Sequence, residues 1–298
     1  EIYMGDWSSD VCSSDLWSAG SAFALDRDAF DGWLRSMARD AGVTLVESCK
    51  VLAAEEAADG WRLRASSDGT PVELSGRFVV EATGRASRSA FWPDASRRYV
   101  DRLLCLYAEH SGREQGEGTS PLVESARDGW WFVAESVGGR GFVAYFTDAD
   151  FVRPTHALAS HFLARLQETV HVRDVVERLE AQTVCVVDAR TSIRTVLWRR
   201  SWVALGDAGW ALDPLSGNGV ERALASALNV AEAVSTLLRS GGVDALRAGA
   251  IESGAQFNRA LKQRESYYAA VHRWSDRPFW SRRCGVRPLN ALLGVSVP

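Results

Sequence analysis

Gly206-Asp207-Ala208-Gly209-Trp210-Ala211-Leu212-Asp213-Pro214-Leu215-Ser216-Gly217-Asn218-Gly219-Val220-Glu221-Arg222-Ala223-Leu224 joins the apolar run Trp202-Val203-Ala204-Leu205 to a long alanine-rich segment. The run has the pattern of a buried strand ending at a glycine. From Val220 onward, Ala223, Leu224, Ala227, Leu228, Ala231, Val234, Leu237 and Leu238 recur at helical spacing, predicting one apolar face packed on a sheet. Between strand and helix, Gly206 lets a ligand approach the strand end closely. Asp207 offers a carboxylate that accepts hydrogen bonds from sugar-alcohol hydroxyls. Asp213 and Pro214 force a turn, and Ser216-Gly217-Asn218-Gly219 exposes backbone N–H groups that open the helix. A helix start of this kind favours negative charge. It suits an isoalloxazine ring, whose N1 and C2 carbonyl carry negative charge when the flavin is reduced.

Upstream, Phe78-Val79-Val80-Glu81-Ala82-Thr83-Gly84-Arg85 reads as a second strand, buried on both faces in a parallel sheet and ending at a glycine. Ligands bind at the carboxyl ends of such strands. Phe30, Trp33, Leu34, Met37, Ala38 and Ala41 predict a helix over Arg27–Ala41, stopped by Gly42 and feeding a strand at Val43–Val46. Lys50–Ala54, Trp61–Ala65 and Pro71–Leu74, with a polar turn at Ser66–Thr70, read as a small antiparallel element. In the middle third, Leu103–Glu109, Gly129–Ser136, Gly141–Thr147 and Thr183–Asp188 read as strands of a separate sheet. Ser111–Ser120 reads as a mobile loop, and Thr155–Leu166 and Val172–Leu179 as helices. A helical C-terminal region begins at Val243 and includes Ala255–Trp274.

Composition sets the class. The chain has 298 residues, 46% hydrophobic and 24% charged, with a net charge of -4, the profile of a globular enzyme or binding protein. No apolar run approaches the roughly 20 residues of a membrane span, and mild acidity gives nucleic acid no electrostatic foothold. Cys49, Cys105, Cys185 and Cys284 are scattered and read as buried thiols in a reducing, cytoplasmic setting. His156, His161 and His171 lack ligand spacing, so no metal is expected. Trp130 and Trp131 alternate across a strand, so one is expected in the core and the other against a substrate cavity. Arg273, Arg277, Arg282, Arg283 and Arg287 read as a solvated basic face.

The strand-turn-helix with Gly-Asp-Ala followed by Asp-Pro-Leu-Ser-Gly-x-Gly resembles that of the FAD-dependent aromatic hydroxylase and tryptophan-halogenase superfamily. Arg27-Asp28-Ala29-Phe30-Asp31-Gly32-Trp33-Leu34 is similar to its Arg-x-x-Phe-Asp-x-x-Leu helix start, and Glu81-Ala82-Thr83-Gly84-Arg85 to its Ala-Thr-Gly strand end. Gly129-Trp130-Trp131-Phe132 and Tyr145–Asp150 look like the substrate-sheet hairpin of the halogenase-like branch. Arg273-Trp274 and Pro278-Phe279-Trp280 resemble the part of that branch that includes maturation flavoproteins of quinone-cofactor amine oxidases. The resemblance implies an α/β fold: a discontinuous, incomplete Rossmann-like FAD domain, an inserted mostly antiparallel substrate sheet and a helical C-terminus. FAD is the implied cofactor, held by Arg27, Thr83, Gly84, Gly206, Asp207, Pro214, Gly217, Asn218 and Gly219. Asp207 would take the ribityl chain, Pro214 and Gly217–Gly219 the ring, and Arg27 and Gly84 the dinucleotide side. Trp131 and Trp210 would face substrate. No residue stands out as an acid or base.

The implied activity is that of a flavin monooxygenase hydroxylating an aromatic ring, peptidyl tryptophan included, with NAD(P)H or a separate flavin reductase supplying electrons. Halogenation is one alternative. The others are a maturation or binding role on a partner polypeptide, and an inactive fragment. Two departures matter: no Gly-x-Gly-x-x-Gly follows a strand, and Trp130–Glu135 replaces the halogenases' Trp-x-Trp-x-Ile-Pro. Asp6–Leu16 back-translates without mismatch to a sequence resembling a short-read sequencing adapter, so 1–16 is expected to be an artefact ahead of an N-terminally truncated flavoprotein. The expected domains are 17–98 with 190–242 for FAD, 99–189 for substrate and 243–298 at the C-terminus.

Overall fold

A computed structural model of the chain describes residues 27–85, 96–111, 121–135, 140–152, 158–176, 178–179 and 184–285. In order, these form α1 (Arg27–Asp40), β1 (Cys49–Ala57), β2 (Gly60–Ser67), β3 (Thr70–Gly76), β4 (Val79–Glu81), β5 (Arg97–Tyr99), β6 (Leu103–Ser111), β7 (Leu122–Ala126), β8 (Gly129–Glu135) and β9 (Arg140–Asp148). There follow α2 (Leu158–Gln167), α3 (Val172–Val175), β10 (Arg178–Leu179), β11 (Cys185–Asp188), β12 (Ser192–Arg194), β13 (Trp198–Arg199), β14 (Trp202–Ala204), β15 (Trp210–Ala211), α4 (Gly219–Ser240), α5 (Asp244–Ala269) and α6 (Pro278–Ser281). The protein is thus mixed α/β, with antiparallel sheets and a helical C-terminus. Two compact units are present, one mainly Trp33–Val100 with Thr191–Leu261, the other mainly Asp101–Arg190 with Lys262–Val286.

In the first unit β14 pairs parallel with β4, Trp202 opposite Val79 and Ala204 opposite Glu81, and β13 closes the other edge antiparallel. Successive side chains on β14 point to opposite faces. Val203 meets Ala233 and Leu237 of α4 together with Leu246, while Trp202 meets Trp61 of the β1–β2–β3 sheet. The parallel pair therefore lies between a helix and an antiparallel sheet, and Trp61 Nε1 donates to the Ser201 carbonyl at 2.9 Å. The β2–β3 turn is Asp68-Gly69, both at positive φ, the geometry that matches strand twist in a two-residue hairpin.

Several expectations on this unit are corrected. Val43–Val46 pairs with no strand among the described residues, and Val43 and Val46 are exposed. β4 is an edge of its described sheet, and Val80 is exposed, so the strand is not covered on both faces by the described residues. On α4 the packed positions are Val230, Ala233, Val234 and Leu237, whereas Leu224, Leu228 and Leu238 face outward. The sheet beneath α4 is too narrow to cover the whole apolar arc. No residue of α1 is buried, and Trp33 and Met37 stand exposed.

The second unit is built on an antiparallel sheet of order β10-β6-β9-β8-β7, with β11 also pairing with β6. Trp131 stacks on Tyr145 at 4.6 Å and meets Phe162 of α2 edge-on, deep in the core on one face of β8. On the other face Trp130 stacks on Phe146 at 3.9 Å and donates to the Tyr268 hydroxyl at 3.0 Å. Both faces are covered, so neither tryptophan borders an open cavity. The basic C-terminal face is also revised: Arg283 is buried, pairs with buried Asp148 at 2.6 Å and lies over the Phe279 ring at 3.7 Å. Arg287 lies outside the described residues. Of the thiols Cys105 is buried, whereas Cys185 and Cys284 are exposed. Among the described residues, no helix is long and apolar enough to cross a membrane.

The predicted helix Val172–Leu179 shrinks to the single turn of α3. Its continuation is diverted to the sheet edge, where Arg178 and Leu179 pair with Ser111 and His110. Its start is held by Glu124, whose buried carboxylate accepts from the amides of Val170, His171 and Val172 at 2.7, 2.9 and 2.9 Å. Expected loop residues 112–120 lie outside the described residues. Because the buried Glu124 carboxylate accepts from three successive amides, that of Val172 in a buried setting, Glu124→Ala is expected to lower unfolding free energy by about 2–4 kcal/mol in urea titrations. A change within about 0.5 kcal/mol would show that water replaces the carboxylate.

Candidate functional site

The parallel ladder carries the ends of β4 and β14 to the same edge, and Leu205 N donates to the Glu81 carbonyl at 3.0 Å. Beyond it the chain makes one tight helical turn at Gly206–Ala208, with Gly206 at φ +55°. A side chain at Gly206 would be strained by its backbone more than by crowding, its nearest neighbour being Ala223 Cβ at 3.5 Å. Arg194 of β12 locks this turn: its Nε donates to the Ala208 carbonyl at 2.8 Å and its NH2 to Glu81 Oε1 at 2.7 Å, with both side chains fully buried. Arg97 of β5 adds bonds to the carbonyls of Asp207 and Ala208 at 2.9 and 2.7 Å. Burial pushes the guanidinium pKa values of Arg97 and Arg194 down; Arg194 also presses on Arg97, and Glu81 opposes the shift at Arg194.

Asp207, about a quarter exposed, receives two cations. Arg85, directly after the Ala-Thr-Gly strand end, places Nε 3.1 Å from Oδ2 and also donates to the Leu212 carbonyl. Arg222, in the first turn of α4, donates to Oδ1. Downstream, Asp213 accepts from Leu215 N at 3.1 Å, Pro214 fills the first position of a short turn, and Gly217 ends it in the left-handed conformation at φ +65°. The side chain of Asn218, the residue preceding α4, makes no capping bond and instead accepts from Ser216 Oγ at 3.0 Å. The first amides of α4 are therefore left without the side-chain acceptor that usually satisfies them. A Cβ placed on Gly219 would meet nothing within 4 Å, and Gly217–Gly219 are exposed.

The structure thus brings Gly84, Gly206, Asp207, Pro214, Gly217, Asn218 and Gly219 to one edge of one unit, joined through Arg85. Thr83 lies there too, its Oγ1 donating to Glu81 Oε1 at 3.1 Å. Arg27 is not part of that network: it heads α1 and pairs with Asp31 at 2.9 Å on an exposed helix face. Trp210 is buried between Arg222, 4.1 Å from its ring centre, and the edge of Phe257, which leaves little ring for a substrate. Trp131 is buried outright in the other unit. Sequence reasoning assigned no role to Glu81, Arg97, Arg194 or Arg222. A glutamate closing an apolar strand is a signal that could have found Glu81, whereas Arg97, Arg194 and Arg222 show their partners only in three dimensions.

Residues 7–288 match the family model for tryptophan halogenase. The chain belongs to the tryptophan halogenase family. The chain is 25% identical over 284 residues to LodB of Marinomonas mediterranea, described as an FAD-dependent oxidoreductase, covering 93% of this chain and 76% of that protein. Among solved structures it is similar to QhpG, a peptidyl tryptophan dihydroxylase essential for tryptophylquinone cofactor biogenesis (28% identity, TM-score 0.75, 87% of this chain and 59% of that one). The fold is also that of CmlS, a flavin-dependent halogenase (21% identity, TM-score 0.81, 97% of this chain and 56% of that one). This tryptophan halogenase family member spans about three fifths of the length of these solved relatives. A carboxylate flanked by uncapped helix amides fits a group that carries both hydroxyls and developing negative charge, which a flavin does.

The Glu81–Arg194 pair holds the strand ends together from beneath. Glu81→Leu alone is expected to cost about 3–5 kcal/mol in chemical denaturation, because it strands a buried cation. The double change Glu81→Leu with Arg194→Met should recover much of that loss, and a double variant no more stable than the single one would contradict the role given to the pair.

Proposed function

We propose that this chain acts as an FAD-dependent oxygenase on an aromatic ring, with peptidyl tryptophan as the substrate class. The observation that carries this is the strand-end site: Asp207 beside the Ala-Thr-Gly turn, with the uncapped start of α4 behind it. The QhpG relationship supports the substrate class, and LodB supports the cofactor. In this reading residues 17–98 and 190–242 form a Rossmann-like flavin domain and 99–189 a substrate-facing sheet. Small aromatic substrates are the wider class, and NAD(P)H or a separate flavin reductase is the electron source.

Bound and reduced, FAD supplies the electrons that activate dioxygen for transfer to the ring. The protein binds and orients. Asp207 accepts from the ribityl hydroxyls, and Gly206 lets the chain lie against the strand end. The amides from Gly217 to Gly219 would stabilise the negative charge that reduction deposits on the pyrimidine part of the ring. Thr83 and Gly84 line the dinucleotide side from the neighbouring strand, whereas Arg27, paired with Asp31 on an exposed helix face, is left out of the site. Trp130 and Trp131 brace the sheet, so aromatic recognition falls to other residues.

Fluorescence titration should show FAD bound by the unaltered chain, with Asp207→Ala weakening it about tenfold or more, the worth of hydrogen bonds to a charged acceptor. Equal affinity in the two proteins would remove Asp207 from the site. With a tryptophan peptide, dioxygen, chloride and a flavin reductase, mass spectrometry should find added oxygen, whereas added chlorine would favour the halogenase reading.

A further inference from the structure

Arg222 is an unexpected residue for the position it occupies. The start of α4 is otherwise small or apolar along this face, and Ala223 already sits 3.5 Å from where a Gly206 side chain would begin. The Arg222 side chain is only 10% exposed, and burial is the largest influence lowering its pKa, opposed by Asp207. A leucine there would pack without any such cost, and buried ion pairs add little net stability. The arginine has to be explained by what it orients.

Its bonds are specific. NH1 donates to the Trp210 carbonyl at 2.9 Å, NH2 donates to Asp207 Oδ1, and the guanidinium lies over the Trp210 ring, 4.1 Å from its centre. The backbone N of Arg222 donates to the Asn218 carbonyl at 3.0 Å, the first helical bond of α4. One planar fork therefore fixes a carboxylate relative to the helix start and to β15, a task the single ammonium point of a lysine cannot do. Arg85 takes the other carboxylate oxygen, Oδ2, at 3.1 Å. A carboxylate offers about four lone-pair sites. One guanidinium on each oxygen leaves acceptor capacity on both.

We propose that Arg222 is a positioning residue that aims Asp207 so that its two oxygens accept from adjacent hydroxyls of a polyol chain. This rests on the flavin reading above and narrows it, since the ribityl chain is the part of the cofactor with that chemistry. Arg222 acts on the ligand only through Asp207, so its effect disappears when Asp207 is gone and when the ligand lacks hydroxyls.

The test uses the full 298-residue chain and four variants: Arg222→Met, which keeps volume and stacking, Arg222→Lys, Asp207→Asn, and Arg222→Met with Asp207→Asn. Each is titrated with riboflavin and with lumiflavin, which carries the ring without the ribityl chain, and each is melted without ligand. Arg222→Met and Asp207→Asn should each weaken riboflavin about tenfold, and the double variant no further, the signature of coupled residues. Lumiflavin affinity should stay within about twofold, and Arg222→Lys should behave like Arg222→Met because charge alone does not restore the fork. Losses that multiply in the double variant would overturn the inference. So would equal losses for both ligands in step with a lower melting temperature, or full riboflavin affinity in Arg222→Met. Absence of any flavin binding by the unaltered chain would instead bring down the flavin reading, and this inference with it.

Discussion

The buried ion pair between Arg194 and Glu81 is the interaction on which the strand-end architecture depends. β4 and β14 share only a short parallel ladder, Val79–Glu81 against Trp202–Ala204. Past its last rung the chains must diverge, and the backbone of the Gly206–Ala208 turn needs partners. Arg194 supplies them by binding the Glu81 carboxylate and the Ala208 carbonyl together, so the two strand ends cannot splay without stranding a charge in the core. Its guanidinium also lies 5.7 Å from the centre of the Trp202 ring. The same residue thus connects the polar edge to the aromatic packing beneath it.

Above that lock the chemistry changes from structural to receptive. Arg97 consumes the carbonyls of the turn, and Arg85 and Arg222 take one oxygen each of Asp207. The carbonyls of Asp207 and Ala208 accept from Arg97 and Arg194, whereas the start of α4 lacks a side-chain cap. Asn218 makes the contrast sharp, because a residue type suited to capping spends its side chain on Ser216. An arrangement that withholds a cap from a rigid helix start gives up local stability to keep an anion-favouring surface available.

The turn from Gly206 to Gly219 was legible in the sequence because its geometry is set locally: glycines at positive φ, an aspartate before a proline, and small polar residues around them. The antiparallel hairpins were legible for the same reason, through period-two patterning and the Asp68-Gly69 turn. What stayed hidden depended on distant partners. Val43–Val46 has strand composition but pairs with no strand among the described residues, and residues 172–179 read as helical until Glu124 and the edge of β6 divide them between a short helix and a strand. Trp131 had the chemistry of a substrate contact, and only the packing of Tyr145 and Phe162 around it shows that its ring is spent on the core. Arg194 and Arg222 were invisible because an arginine in an apolar setting declares its partner only in three dimensions.

Backbone hydrogen exchange in the presence and absence of FAD tests the central claim most directly, because it reports on the open amides themselves. The account predicts that saturating FAD slows exchange in peptides covering Gly217–Glu221 and Thr83–Arg85. Flavin bound with exchange in those peptides unchanged, or with protection confined to the sheet of the other unit, would contradict it.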